Sequence, residues 1–355
     1  MNQRIEAVRK IIKENRLDGL FITKQQNWQY LSGFTGTNAI LLFTPFDNYF
    51  ITDFRYLEQA HLETEGFHIV EPRTLVEDTL VDQVNGLGLT RVGFEGDNLT
   101  YTQYVDYKEK TPGVELVSLN QAVEKIRQVK DDREITALRK AVSIADMAFD
   151  YILNFIRPGV SESEIALEIE HFMKKQGAQK SAFDIIVASG RRAALPHGVA
   201  TDKELAAGEL VILDFGAVFA GYHSDMTRTV VIGKPDPDQK RIYDIVLTAQ
   251  KRALDTLKPG IRCSDTDRAA RDFIRAKGYG ANFGHGLGHS VGLEIHEKPA
   301  LAPKDDTVLQ PGMTITVEPG IYLSNWGGVR IEDLVLVTGS GCEVLSASPK
   351  ELLVL

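Results

Sequence analysis

The second half of this 355-residue chain repeats itself, and a duplicated chain has few ways to fold. The stretch FIRPGVSESEIALEIEHFMKKQG (155–177) aligns with TLKPGIRCSDTDRAARDFIRAKG (256–278), matching Pro158 to Pro259, Gly159 to Gly260, Phe172 to Phe273 and Gly177 to Gly278. Each copy reads as a helix end, a Pro-Gly turn and an amphipathic helix. Farther along, AGELVILDFG (207–216) aligns with PGMTITVEPG (311–320), pairing Gly208 with Gly312, Asp214 with Glu318 and Gly216 with Gly320. A returning strand follows in each copy, HSDMTRTVVIG (223–233) against RIEDLVLVTG (330–339), and sets Asp225 opposite Glu332. Such a duplication can fold as two similar halves whose sheets meet at a pseudo-twofold axis, with four acids from equivalent strands converging there.

The repeat occupies only part of the chain, and 355 residues exceed the usual single-domain size, so a second domain is expected ahead of it. The N-terminal MNQRIEAVRKIIKENRLDG places Ile5, Val8, Ile11 and Ile12 at helical spacing among charges, unlike the continuous apolar core of a signal peptide. Short apolar runs follow at Gly19 to Ile22, Ala39 to Phe43 and Tyr49 to Thr52, the last two joined by TPFDN as in a hairpin, and Ser118 to Gln128 reads as helix. A long helical pattern runs from Asp131 to about Ile156 and stops at Arg157-Pro158-Gly159, and Ser161 with Glu164 forms a capping box for the next helix. The expected organisation is α/β (α+β), with an N-terminal α/β domain over 1–128 and a duplicated domain over 129–355.

Asp214 sits in LVILDFGAVF and Glu318 in MTITVEPGIY, both inside apolar strand patterns. An ionised carboxylate there costs several kcal/mol unless a cation or hydrogen bonds compensate it. A lone acid of this kind is commonly a strand-end residue facing solvent, but four acids in two repeated pairs call for another account. Two divalent cations would neutralise four carboxylates, and one neutral imidazole would bring the protein ligands to five. Bridging carboxylates can hold two metals about 3.5 to 4 Å apart. Oxygen donors with one imidazole favour Mn²⁺, with Co²⁺, Zn²⁺ and Fe²⁺ as the alternatives.

Candidate imidazoles are concentrated in FGHGLGHSVGLEIHEKP (283–299), which holds His285, His289 and His296 of the eight histidines in the chain. The segment is no P-loop, since the G-x-x-x-x-G-K-[ST] lysine is missing, and no H-E-x-x-H site, since Lys298, Pro299 and Ala300 follow His296-Glu297. Other classes are excluded by composition. A net charge of −9 with no concentrated basic patch argues against nucleic acid. Two cysteines, Cys263 and Cys342, are too few for a disulfide scaffold and suit a reducing cytoplasm.

The blocks LDFGAVFAGYHSDMTRT (213–229), ALPHG (194–198), GHGLGHSVGLEIHE (284–297), VEPGIY (317–322) and GGVRIED (327–333), with QYLSGFTGT (29–37) and ITDFRYLEQA (51–60) ahead of them, resemble the pita-bread metallopeptidases. Within that group the resemblance is to Xaa-Pro aminopeptidases (aminopeptidase P) and prolidases, and it covers essentially the whole chain. It implies a creatinase-like N-terminal domain and a pita-bread catalytic domain. It implies two metals held by Asp214, Asp225, His289, Glu318 and Glu332, with Asp225 and Glu332 bridging. His197, His285 and His296 would surround the substrate and donate hydrogen bonds, Glu318 would shuttle a proton, and Arg330 would orient a metal-ligating acid.

The activity so implied is hydrolysis of the bond between an N-terminal residue and a following proline, in dipeptides and short peptides. The alternatives are a strict Xaa-Pro dipeptidase, a methionine aminopeptidase, a metal-free creatinase-like amidinohydrolase and a non-catalytic relative. The substrate would be a proline-containing peptide, with no nucleic acid or membrane partner. The resemblance also implies a homodimer in which an N-terminal domain borders the partner's active site. His223, two residues before Asp225, is a weaker candidate for the site, and Asp53, Arg55 and Tyr56 are read as structural.

Overall fold

The computed structural model describes residues 2–72 and 75–355 and separates into two compact units, residues 1–127 and 128–355. In the first unit, six strands form one mixed sheet: β1 (Gly19–Ile22), β2 (Ile40–Phe43), β3 (Asn48–Ile51), β4 (His68–Val70), β5 (Arg91–Glu95) and β6 (Glu115–Leu119), in the order β4-β3-β2-β1-β5-β6. The β2–β3 pair is the expected hairpin, antiparallel with Leu42 opposite Tyr49. Apolar side chains from the sheet, including Phe21, Leu42 and Phe94, pack with Leu80 and Val84 of the helix Val76–Gly86. The N-terminal helix, Asn2–Glu14, buries Ile5, Val8 and Ile12 as its spacing requires.

Ser118 and Leu119 are strand rather than helix, and the helix there is confined to Ala122–Arg127. The reason is tertiary: Glu115–Leu119 lies parallel to β5 with Ser118 opposite Phe94, and a paired ladder outweighs weak helical preference.

In the second unit, the helix Asp132–Ile152 starts at a capping box between Asp131 and Glu134 and ends four residues short of the expected Ile156. Asn154 Nδ2 donates back to Tyr151 O at 3.1 Å and Phe155 N bonds Ile152 O at 2.9 Å, which closes the helix with a tight turn before Pro158. Small strands β7 (Lys180–Ser181), β10 (Ala217–Phe219) and β11 (Tyr222–His223) form one sheet, and β8 (Ile186–Ser189), β9 (Leu210–Phe215) and β12 (Met226–Val231) a second. The second copy supplies β13 (Gly288–Ser290), β14 (Glu297–Leu301), β15 (Thr314–Val317), β18 (Asp333–Val337) and β19 (Cys342–Val344) in the order β14-β13-β15-β18-β19, with β16 (Gly320–Leu323) and β17 (Gly327–Arg330) as a ribbon.

The duplication is visible in the backbone. The helices Glu162–Lys175 and Cys263–Ala276 begin and end at aligned positions. The aligned glycines share left-handed backbone: Gly159 and Gly260 at φ 86° and 85°, Gly177 and Gly278 at 98° and 90°, Gly208 and Gly312 at 84° and 90°. Only glycine takes up that conformation without a steric penalty, so the repeat preserves turns as well as core positions. The halves meet where Glu332 N donates to Thr227 O at 3.1 Å and Thr229 Oγ1 to Arg330 O at 2.8 Å. Behind that line the buried Arg228 guanidinium pairs with Asp333 Oδ1 at 2.8 Å and donates to the carbonyls of Thr227 and Ser348. No helix among the described residues is long and apolar enough to cross a membrane.

Candidate metal centre

Strand ends place the acids. The apolar run Leu210–Leu213 is fully buried and carries Asp214 to the far end of β9, opposite Thr227 of β12. Asp225 lies one residue before β12, Glu318 one after β15, and Glu332 one before β18. His289 is the central residue of β13. All five, from both copies, line one cavity of about 550 Å³, together with His197, His285, His296, Tyr322 and Arg330.

The donor set fits divalent metal. Asp225, His289 and Glu332 each present a ligand atom within 4.8 Å of the others. His289 Nε2 lies 3.6 Å from Asp225 Oδ2 and 3.4 Å from Glu318 Oε1. Asp214 Oδ1 and Glu332 Oε1 are buried with no hydrogen-bond partner, a costly state for carboxylate oxygens that a cation would relieve. Their other oxygens are engaged: Arg330 Nη2 donates to Asp214 Oδ2 at 2.5 Å and Thr227 Oγ1 to Glu332 Oε2 at 2.6 Å. Each of these two carboxylates therefore has one oxygen oriented by a protein donor and one with no protein partner.

Electrostatics points the same way. Burial, then the charges of Glu332, Asp214 and Glu318, push the Asp225 carboxyl well above its ordinary value, and burial with Glu318 and Asp214 does the same to Glu332. Burial drives Glu318 up to about 8, against a partial pull downward from Arg330. Burial also raises Asp214, while Arg330 draws it back. Burial takes His289 down to about 4, helped by His296, leaving a neutral imidazole suited to ligation. Four acids that resist ionisation together would be held ionised by two dications.

On the wall of the cavity, Arg330 Nε donates to Thr227 Oγ1 at 3.0 Å, Nη1 to Tyr322 OH at 2.9 Å and to Pro196 O at 3.2 Å. Burial alone would lower Arg330, but Tyr322 and Asp214 outweigh it and the guanidinium stays charged. His285 Nδ1 is 2.8 Å from Gly286 O and its Nε2 is 3.0 Å from Tyr322 OH. A carbonyl only accepts, and burial lowers this imidazole to about 4, so Nδ1 carries the proton and Nε2 accepts from Tyr322. Both ring nitrogens of His285 are thus engaged within the protein, which leaves hydrogen-bond donation into the cavity to His197 and His296. Those two rings are exposed and hold no hydrogen bond among the described residues, and the His296 ring stands edge-on to His289 at 4.3 Å between centroids. His223 lies outside the cavity, buried with Nδ1 3.3 Å from Gly292 O.

Three contributors lie beyond the candidates singled out from sequence. Thr227 stands two residues after Asp225, and Tyr322 four after Glu318, spacings that share a face in extended chain. Gly320 makes room for Tyr322: a Cβ on Gly320 would meet the Tyr322 hydroxyl at 2.5 Å. Thr316 Oγ1 donates to Glu318 Oε1 at 3.1 Å and accepts from His289 N at 3.0 Å, coupling two of the five.

Comparison with known proteins gives the same picture over the full length. The model of metallopeptidase family M24 matches residues 136–339, and that of the creatinase/prolidase N-terminal domain matches residues 4–129. An Xaa-Pro dipeptidase of Pyrococcus furiosus is 41% identical over 357 residues, covering 99% of this chain and 100% of the relative. Among solved structures, an Xaa-Pro dipeptidase from Bacillus anthracis superposes with a TM-score of 0.97 at 50% identity, covering 99% of each chain. An X-Pro aminopeptidase from Thermotoga maritima gives 0.90 at 39% identity, covering 96% of this chain and 98% of that one.

Proposed function

The chain belongs to metallopeptidase family M24, and we propose that it hydrolyses the bond between an N-terminal residue and a following proline. The observation that carries this reading is the set of five ligand-type side chains at one cavity, with Asp214 Oδ1 and Glu332 Oε1 buried and unpartnered. Asp214, Asp225, His289, Glu318 and Glu332 would hold two divalent metal ions, with Asp225 and Glu332 as the residues that would serve both. Mn²⁺ is the metal of choice for four carboxylates and one imidazole, with Co²⁺, Zn²⁺ and Fe²⁺ the alternatives. Such ions supply Lewis acidity toward a carbonyl and lower the pKa of water.

The protein's own groups do the rest. Arg330 and Thr227 lock Asp214 and Glu332 in orientation before substrate arrives, so no reorganisation is needed at the reacting centre. His197 and His296 present free ring nitrogens to the peptide carbonyl and the oxyanion that develops from it. Glu318, which accepts from Thr316 Oγ1, would pass a proton to the leaving nitrogen. That nitrogen belongs to proline and has no N–H before cleavage, so a pocket relying on an amide donor would reject it. Phe183, Ile186 and Ile295 line the same cavity and offer apolar surface to the pyrrolidine ring.

The segment after His296 reads Glu297-Lys298-Pro299-Ala300, without an arginine to grip a free carboxylate bidentately, and Ala300 lines the cavity. The reading is therefore open beyond proline, accepting Xaa-Pro-Xaa as well as Xaa-Pro. The strict dipeptidase reading is favoured by the names of the Pyrococcus furiosus and Bacillus anthracis relatives. Hydrolysis of Ala-Pro, Ala-Pro-Ala and Ala-Ala with added Mn²⁺ tests the function, and equal turnover of Ala-Ala would remove proline from it. The unpaired thiols of Cys263 and Cys342 fit work in the cytoplasm. A homodimer is the proposed assembly, and a fully active monomer by light scattering at micromolar concentration would refute it.

A further inference from the structure

Two buried carboxylates outside the metal centre each hold a loop that carries a histidine of the cavity wall. In the first copy, Glu162 opens the helix Glu162–Lys175 and is completely buried. Its Oε1 accepts from Ser189 N and Ser189 Oγ, both at 2.8 Å, and its Oε2 from Thr201 Oγ1 at 2.8 Å and from Arg192 Nη1. Arg192 Nη2 then donates to Val199 O at 2.8 Å. Both ends of the segment 189–201 and a carbonyl two residues past His197 are thereby tied to one carboxylate.

In the second copy, Asp267 is 1% exposed and takes Arg271 Nε and Nη2 in a fork, each at 2.7 Å. Asp267 Oδ1 also accepts from Leu287 N at 3.1 Å, and Arg271 donates to Phe283 O at 3.0 Å and His285 O at 2.7 Å. The guanidinium also lies over the Phe283 ring, 4.3 Å from its centroid. Glycine occupies positions 284, 286 and 288 of this segment, so its side-chain anchors on either side of His285 are Phe283 and Leu287, both buried in the core, and the clamp adds fixed backbone contacts between them.

We propose that Glu162–Arg192 and Asp267–Arg271 are paired clamps, positioning residues that set His197 and His285 against the substrate cavity from its two halves. Arginine is suited to the task because part of its fork meets a carboxylate, through one nitrogen in Arg192 and two in Arg271, while other donors reach backbone carbonyls. The two clamps sit at non-equivalent positions of the repeat: Glu162 aligns with Cys263, one helical turn before Asp267, and Arg192 comes from the held segment while Arg271 comes from the helix. The second clamp reaches the metal centre through His285, Tyr322 and Arg330 to Asp214. The kinetic consequence rests on the peptidase reading, whereas the mechanical one does not.

The test combines hydrogen exchange with mutant cycles on the full-length, Mn²⁺-supplemented protein. Arg271→Lys keeps the charge but loses the fork and should speed amide exchange in 283–290 while leaving 190–201 as in wild type; Arg192→Lys should do the reverse. Each should lower kcat/KM for Ala-Pro by about tenfold to a hundredfold at unchanged metal content. In a His285→Ala background the effect of Arg271→Lys should shrink to less than about threefold while that of Arg192→Lys persists, and His197→Ala should silence only Arg192→Lys. Exchange that rises in both segments, or in neither, overturns the clamps, as does an Arg271→Lys effect undiminished by His285→Ala. Asp267→Asn replaces Arg271→Lys, with the same outcomes, if the latter does not fold. Failure of wild type to cleave Xaa-Pro peptides would overturn the peptidase reading alone, because exchange decides the clamps without activity.

Discussion

Stripping metal from this protein should make its stability depend on pH in a direction opposite to that of the loaded form. In the metal-free chain Glu318 is pushed from 4.5 to about 8 by burial, so the folded state binds a proton that the unfolded state has released. Such a group stabilises the fold fully below pH 4.5, and that stability is lost as pH rises toward 8. Between pH 6.5 and 8 the loss from Glu318 alone is about 1.5 kcal/mol, and Asp225 and Glu332 are shifted in the same direction and add to it. The histidines work against this only at lower pH: His285 and His289 are lowered to about 4, so their contribution is lost as pH falls from 6.5. The window from 6.5 to 8 is therefore governed by the acids. At roughly 2–4 °C per kcal/mol for a domain of this size, chelated protein should melt about 3–6 °C lower at pH 8 than at pH 6.5. With Mn²⁺ in excess the order should reverse, because metal binding displaces those protons and strengthens with pH. Scanning calorimetry at four pH values with chelator or Mn²⁺ decides it. A metal-free melting temperature that is flat, or that rises with pH, would show that the four acids are not buried together as described.

Asp225→Ala should abolish turnover and cut bound metal from two ions per chain, read by elemental analysis; full activity in this variant would sink the dinuclear assignment. His296→Ala should keep both metals and lose rate by about tenfold to ten-thousandfold, since its ring lines the cavity and is assigned to substrate rather than to metal, and loss of both metals would contradict that role. Arg330→Met leaves Asp214 buried without its guanidinium partner, which should lower metal-free stability by about 3–5 kcal/mol, and a melting temperature within 2 °C of wild type would refute the pairing, the threshold being roughly 1 kcal/mol. C-terminal amidation of Ala-Pro should leave kcat/KM within about threefold, because no bidentate arginine reads the carboxylate, and cleavage confined to the free dipeptide would establish the strict dipeptidase instead.

What the sequence revealed and what it hid divide along a physical line. The repeat was legible because duplicated turns need the same left-handed glycines and duplicated cores the same apolar runs, and both leave letters in the chain. The acids were legible because Asp214 and Glu318 break strands that are otherwise apolar. Ser118 was misread because its strand is fixed by β5, more than twenty residues earlier, and no local pattern records that pairing. The partners of the site were hidden for the same reason. Nothing local marks Tyr322 and Thr227, because their contacts depend on Arg330 arriving from another strand. No local pattern singles out Glu162 and Asp267 on their amphipathic helices, yet both are buried against loops that return from elsewhere in the chain. The proposed ligand set is thus written in strand position, whereas the groups that hold its oxygens and histidines in place are written in contacts between segments. Substitutions that look neutral in the sequence, such as Arg192→Lys or Arg271→Lys, are therefore where the fold and the chemistry should prove most tightly coupled.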